Sequence, residues 1–163
     1  MDTKYASLLP FVLVLCHFAF DWVYQSHSEA LQKARNPVIR FWHCLKYAVP
    51  FVPVLWLFGL ELFSLRMVSS FLILFVSHFF IDTYVPVMLW AKYLRKAPQF
   101  DLVIKDQPHV SGWRDKEIET VYKSDVEAFK AFASTPLGLI LMITMDQFLH
   151  IACLLPVAVL TMK

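Results

Sequence analysis

Residues 6–25 read ASLLPFVLVLCHFAFDWVYQ, and this stretch decides how the rest of the chain is read. About 20 mostly apolar residues are what a helix needs to cross a bilayer. Yet the run carries an imidazole, His17, and a carboxyl, Asp21, four residues apart, with Gln25 four further on. A helix stacks such residues on one face. The segment therefore predicts a membrane-spanning helix with a polar stripe.

The surrounding composition agrees. The chain has 163 residues, of which 58% are hydrophobic and only 17% charged, with a mean hydropathy of +0.55. Soluble domains hold about 45–50% apolar residues. Three further stretches are long and apolar enough to span, at about 38–58, 67–90 and 136–160. The expectation is an all-α fold, an integral membrane bundle of four transmembrane helices forming one domain over 1–163. Charge collects in loops 26–37 and 91–135. Within the long loop, Ile118, Val121, Tyr122, Phe129 and Phe132 share a helical face, so an amphipathic helix is expected over 114–132. Pro136 suits the first turn of the fourth span.

Lysine and arginine asymmetry orients the bundle. Lys33, Arg35, Arg40, Lys92, Arg95, Lys96, Lys105, Arg114, Lys116, Lys123 and Lys130 lie on one side; Lys4, Arg66 and Lys163 lie on the other. Both termini are expected outward and both charged loops in the cytoplasm. A cleavable leader ending near Ser26-His27-Ser28 is the alternative for span one, but it would discard His17 and Asp21. The net charge of +2, without a basic aromatic stripe, excludes a nucleic-acid groove. Cys16, Cys44 and Cys153 form no CxxC and read as small core residues. Trp42, Trp56 and Trp90 read as interface anchors.

The stripe of span one recurs. Span two holds His43 and Tyr47, span three His78 and Asp82, span four Asp146 and His150. Every pair is spaced i, i+4, and the charge-derived topology puts every pair in the cytoplasmic half of the bilayer. Each carboxylate at mid-bilayer costs about 2.5–3.5 kcal/mol. Apart from Arg40, counted with the loop flank at the start of span two, only Lys46 offers a cation within a span. A divalent metal matches the donors, since imidazoles and carboxylates are its usual ligands. The expected ligands are His17, Asp21, His43, His78, Asp82, Asp146 and His150, holding one or two ions, zinc foremost. Two ions sharing a hydroxide would balance three aspartates. The rival is one ion with the remaining aspartates orienting histidines. Gln25 and Gln147 are expected to pack between helices or support ligands, and Tyr47 to sit at the interface or donate to a reacting oxygen. Lys46 is expected to reach the headgroups or to steady an anionic substrate, and His27 and His109 to lie in solvent.

The order His17-x3-Asp21-x3-Gln25, His78-x3-Asp82, Asp146-Gln147-x2-His150 resembles a bacterial family of small multi-pass membrane proteins of unknown function. It is also similar to the broader group of membrane-bound metal-dependent hydrolases, and more loosely to intramembrane zinc amidases. The resemblance implies a bacterial inner-membrane location and hydrolase activity. With a metal-activated water, the substrate expected at this depth is a lipid or lipid-linked ester, amide or phosphoester. Asp21, Asp82 or Asp146 would then act as general base. The alternatives are a metal-binding structural or regulatory subunit, with a membrane partner, and a metal or proton transporter, which with four helices would need to be a homo-oligomer.

Overall fold

The computed structural model describes residues 7–102 and 124–162. Among these, all regular structure is helical. The helices are α1 (Leu9–Val23), α2 (His27–Gln32), α3 (Pro37–Ala48), α4 (Phe51–Leu57), α5 (Leu65–Ile81), α6 (Val85–Leu89), α7 (Asp125–Ser134) and α8 (Pro136–Met162). A π-helical turn, Trp90–Leu94, continues α6, and a 3-10 turn covers Pro98–Leu102.

Polar residues set the helix starts. Ser26 and Glu29 form a reciprocal capping box on α2, with Glu29 N–H donating to Ser26 Oγ at 3.2 Å and Ser26 N–H to Glu29 Oε2 at 3.0 Å. Asn36 Oδ1 accepts from the amides of Val38 and Ile39, with Pro37 opening α3. Ser64 caps α5 through the Met67 amide. At its other end α5 stops at Asp82. Thr83 Oγ1 donates to the Phe80 carbonyl and accepts from the Val85 amide, and Tyr84 takes a left-handed φ of 59°. That conformation is uncommon for an aromatic residue, and Pro86 follows it.

The chain falls into two units, Met1–Val85 with Asp146–Lys163, and Pro86–Met145. In the first, α3 packs along α5, and Leu9, Leu13, Phe51, Leu55, Met67, Leu74, Leu154 and Val157 form a buried core. The outward surface is apolar: Phe11, Leu15, Leu72, Val76, Phe80, Phe148 and Leu155 are all well exposed. An exposed apolar surface of this extent around a partly polar interior is the pattern of a protein that associates with a membrane. In the second unit, α7 packs against the turn Pro98–Leu102, and Lys92 pairs with Asp125.

Several expectations change. Pro37–Leu57 and Pro136–Met162 are each long and apolar enough to cross a membrane, and Leu65–Ile81 with Val85–Leu94 makes a third as a broken pair. Two helices, or three if the bent pair is one span, are therefore long and apolar enough to cross, and not clearly four. The third stretch is interrupted because the left-handed Tyr84 and Pro86 cannot continue a helix. Helix α1 runs only from Leu9 to Val23, a rise of about 22 Å at 1.5 Å per residue. That falls short of a hydrocarbon core of about 30 Å. Of the loop helix expected over 114–132, the structure describes α7, which buries Phe129 and Phe132. Ile118, Val121 and Tyr122 lie outside the described residues, as does His109.

The corner from α7 into α8 depends on Gly138. Its amide donates to Thr135 Oγ1 at 3.0 Å. A Cβ there would lie 1.8 Å from the Phe132 carbonyl oxygen. Gly138→Ala must push backbone apart, at a cost of about 1–3 kcal/mol. We expect its melting temperature in detergent to fall by several degrees, whereas an unchanged melt would mean the corner is looser than this contact implies.

Candidate metal centre

Four helices and one loop deliver polar side chains to a single place in the first unit. Helix α1 supplies His17 and Asp21, α3 supplies His43 and Tyr47, α5 supplies His78 and Asp82, and α8 supplies Asp146, Gln147 and His150. Lys33, at the end of α2, enters from the loop. His17, Asp21, His43, His78, Asp82 and His150 are each at most 2% exposed, and Lys33 is 6% exposed. Buried groups of this kind must be paired or bind an ion.

The donor atoms converge. His43 Nε2 lies 3.0 Å from His78 Nε2, 3.1 Å from Asp21 Oδ1 and 3.4 Å from Asp82 Oδ2. His78 Nε2 lies 3.5 Å from Asp21 Oδ1 and 3.3 Å from Asp82 Oδ2. Ligands held about 2.0–2.1 Å from a tetrahedral zinc are about 3.3–3.4 Å apart. Each carboxylate thus forms with the two imidazoles a triangle spaced like one face of a metal shell. His43, His78 and Asp82, and likewise Asp21, His78 and His150, offer ligand atoms mutually within 4.8 Å.

His150 adds an independent sign. Its Nδ1 donates to the Asp146 backbone carbonyl at 2.9 Å. That bond fixes the tautomer and leaves a lone pair on Nε2. Nε2 is buried without a hydrogen-bond partner, 3.9 Å from Asp82 Oδ1. Neither Asp82 oxygen has an aligned hydrogen bond, and Asp146 Oδ1 has none. His150 Nε2 and the Asp82 carboxylate, close together and without aligned hydrogen bonds, are acceptors that a cation would satisfy.

His17 is engaged differently. Tyr47 O–H donates to its Nδ1 at 3.2 Å, its Nε2–H donates to Gln147 Oε1 at 3.0 Å, and Gln147 Nε2 donates to Asp146 Oδ2 at 3.1 Å. With both ring nitrogens used, His17 sits beside the donor triangles, stacked on His150. The π-helical turn Ala19–Val23, closed by Tyr24 N–H on the Ala19 carbonyl, accounts for the division. It breaks the strict i, i+4 row, so His17 and Asp21 face different partners.

Lys33 is the group that sequence reasoning missed. Its Nζ lies 2.8 Å from Asp82 Oδ1, 3.4 Å from Asp21 Oδ1 and 3.2 Å from His43 Nε2. Burial alone would lower the lysine pKa. The Asp82 and Asp21 carboxylates outweigh it and hold the ammonium above the usual lysine range. Lys33 is a loop residue, outside every expected span, whose side chain reaches inward. The capping pattern Ser26-x-x-Glu29 was the available signal, since it places a short helix, and Lys33 at its end, directly against the cluster. Tyr47 is also relocated: it is buried and stacks on the His78 ring at 3.9 Å rather than facing headgroups. Gln25 Nε2 approaches His43 Nε2 at 3.3 Å. Lys46, half-exposed, pairs with Glu29 and ties α3 to α2. His27 is exposed, and Cys44 is buried while Cys16 and Cys153 are partly so.

These features define an α-helical protein of membrane type with a buried histidine–aspartate cluster able to hold a metal ion. Residues 9–110 match the family described as protein of unknown function (DUF3307), and the chain belongs to that family. The matched span includes His17, Asp21, Lys33, His43, His78 and Asp82, while Asp146 and His150 lie beyond it. Neither a curated protein nor a solved structure matches the chain.

Removing Asp82 leaves the buried Lys33 with only the longer Asp21 ion pair and the neutral His43 ring. Asp82→Ala should cost about 3 kcal/mol, in the range for breaking a buried pair from one side. Adding Lys33→Met should recover part of that loss. Thermal unfolding in detergent of the single and double variants measures the coupling, and a double variant less stable than Asp82→Ala contradicts it.

Proposed function

We propose that this chain is an intramembrane metal-dependent hydrolase whose single divalent ion, zinc by its donor set, is held by Asp21, His43, His78 and Asp82 with His150 adjacent. The observation that carries the reading is the convergence of two imidazole Nε2 atoms and two carboxylates at 3.0–3.5 Å. The charge supports one ion. Asp21 and Asp82 are fully buried and carry two negative charges between them, whereas Asp146 is partly exposed and is stabilised by Gln147. A divalent ion in such a place supplies Lewis acidity and a water acidified towards neutral pH.

The chain's own residues would do the rest. Asp146, at the rim of the cluster and with Oδ1 unpaired, accepts a proton as general base. Tyr47, His17 and Gln147 hold that carboxylate in place through their hydrogen-bond relay. The apolar exterior directs the substrate class to lipids or lipid-linked esters, amides or phosphoesters. In this reading α1 and the broken α5–α6 pair both traverse the bilayer, giving four spans in a bacterial inner membrane. Both termini then face outward, and the Lys33 loop faces the cytoplasm.

A second reading has its own observation. Lys33 already neutralises part of the cluster, as a purely structural membrane subunit with a bound partner would need.

Metal content separates the two. We expect protein purified in detergent to carry one equivalent of a divalent metal, to lose it on His78→Ala, and to hydrolyse one of the three lipid bond types only when loaded. Preparations without metal, whatever the medium, would remove the hydrolase.

A further inference from the structure

An imidazole nitrogen has one lone pair. His43 Nε2 lies 3.2 Å from the Lys33 ammonium, towards which it can act only as an acceptor, and the same atom belongs to the donor triangles. It cannot serve the ammonium and a metal ion together. Lys33 Nζ also occupies the space facing Asp82 Oδ1 and Asp21 Oδ1. Resting on the metal-binding reading above, we propose that Lys33 is an internal competitor for the metal: the cluster holds either its ammonium or a divalent ion, and entry of the ion expels the lysine side chain.

The fold allows this exchange with little backbone movement. Arg40 Nη1 donates to the carbonyls of Lys33 and Ala34, both at 3.1 Å, while its guanidinium stacks on Phe79 at 4.5 Å. The α2 end of the loop is held by its capping box and by the Glu29–Lys46 pair. The main chain at Lys33 is therefore pinned on both sides. Only the long, unbranched side chain has to swing, and lysine suits this because its charge rides on a flexible stem. Nor is the ammonium ideally seated, since neither Asp82 oxygen has an aligned hydrogen bond even with Nζ 2.8 Å away.

Charge gives the direction. One ammonium offsets half the charge of Asp21 and Asp82, and one divalent ion offsets all of it. Lysine keeps the empty cluster tolerable in an apolar surrounding, yet yields to the better-matched cation. The arrangement would let the protein insert and fold before metal arrives, and would set the affinity lower than the bare ligands could reach.

Cobalt(II) tests this, because its visible absorption reports the ligand set. Lys33→Met and Lys33→Gln should bind cobalt at least about tenfold more tightly than the native protein, a difference of about 1.4 kcal/mol, with Lys33→Arg no tighter than native. Equal or weaker binding by both neutral variants overturns the competition while leaving the metal site standing. Binding by no form, native included, removes the metal site itself. Should the neutral variants fold only with metal, they can be purified with cobalt and their affinity read by chelator competition. A second measurement needs no variant. Acetylation of Lys33 in the native protein, followed by peptide mass spectrometry, should be slow without metal and accelerate on adding cobalt. Protection that persists with cobalt bound contradicts expulsion.

Discussion

The structure hangs on the pairing of the Asp21 and Asp82 carboxylates with positive charge inside a bundle whose outer surface is hydrocarbon-like. Two unpaired carboxylates in that setting would cost several kcal/mol. Lys33 meets part of the demand at 2.8 and 3.4 Å. Much of the local architecture serves that contact: the capped helix α2 that brings Lys33 inward, the Arg40 side chain that pins its carbonyl, and the stop of α5 at Asp82. Even the π-helical turn in α1 belongs to it, because the widened turn sends Asp21 toward His43 and His78 while His17 turns to Tyr47 and Gln147.

Lipid gives little hydrophobic drive for helices to associate, since lipid tails are as apolar as leucine. The first unit divides the labour in a way that would suit such a setting. Leu9 and Leu13, Phe51 and Leu55, Met67 and Leu74, and Leu154 and Val157 pack at one end. His17 and Asp21, His43, His78 and Asp82, and Asp146 and His150 meet at the other. The packed end supplies shape complementarity. The polar end supplies the hydrogen bonds and ion pairs that fix which helix faces which. Stability and chemistry therefore draw on the same atoms, and a substitution in the cluster will move both.

Helical class, apolar exterior and the identity of the buried polar residues were legible because each follows from composition and an i, i+4 repeat. His43 and His78 were legible as members of one polar set, not as Nε2 atoms 3.0 Å apart. Three features were not legible, each for a physical reason. The break at 82–84 turns on the left-handed Tyr84, which no residue type announces, although Pro86 hinted at it. The separation of His17 from the donor triangles follows from one π-helical turn that periodicity cannot register. Lys33 was hidden because span-based reasoning assigns a side chain to the depth of its backbone, whereas a lysine reaches several ångströms further.

The central claim is that the converging imidazoles and carboxylates are a ligand shell. X-ray absorption at the zinc edge of the zinc-loaded protein reads that shell directly. The account predicts nitrogen and oxygen neighbours at about 2.0–2.1 Å, with outer-shell scattering from two or more imidazoles and no sulfur. A sulfur shell at about 2.3 Å, drawing in Cys44 or Cys153, or an edge without imidazole scattering, would contradict it.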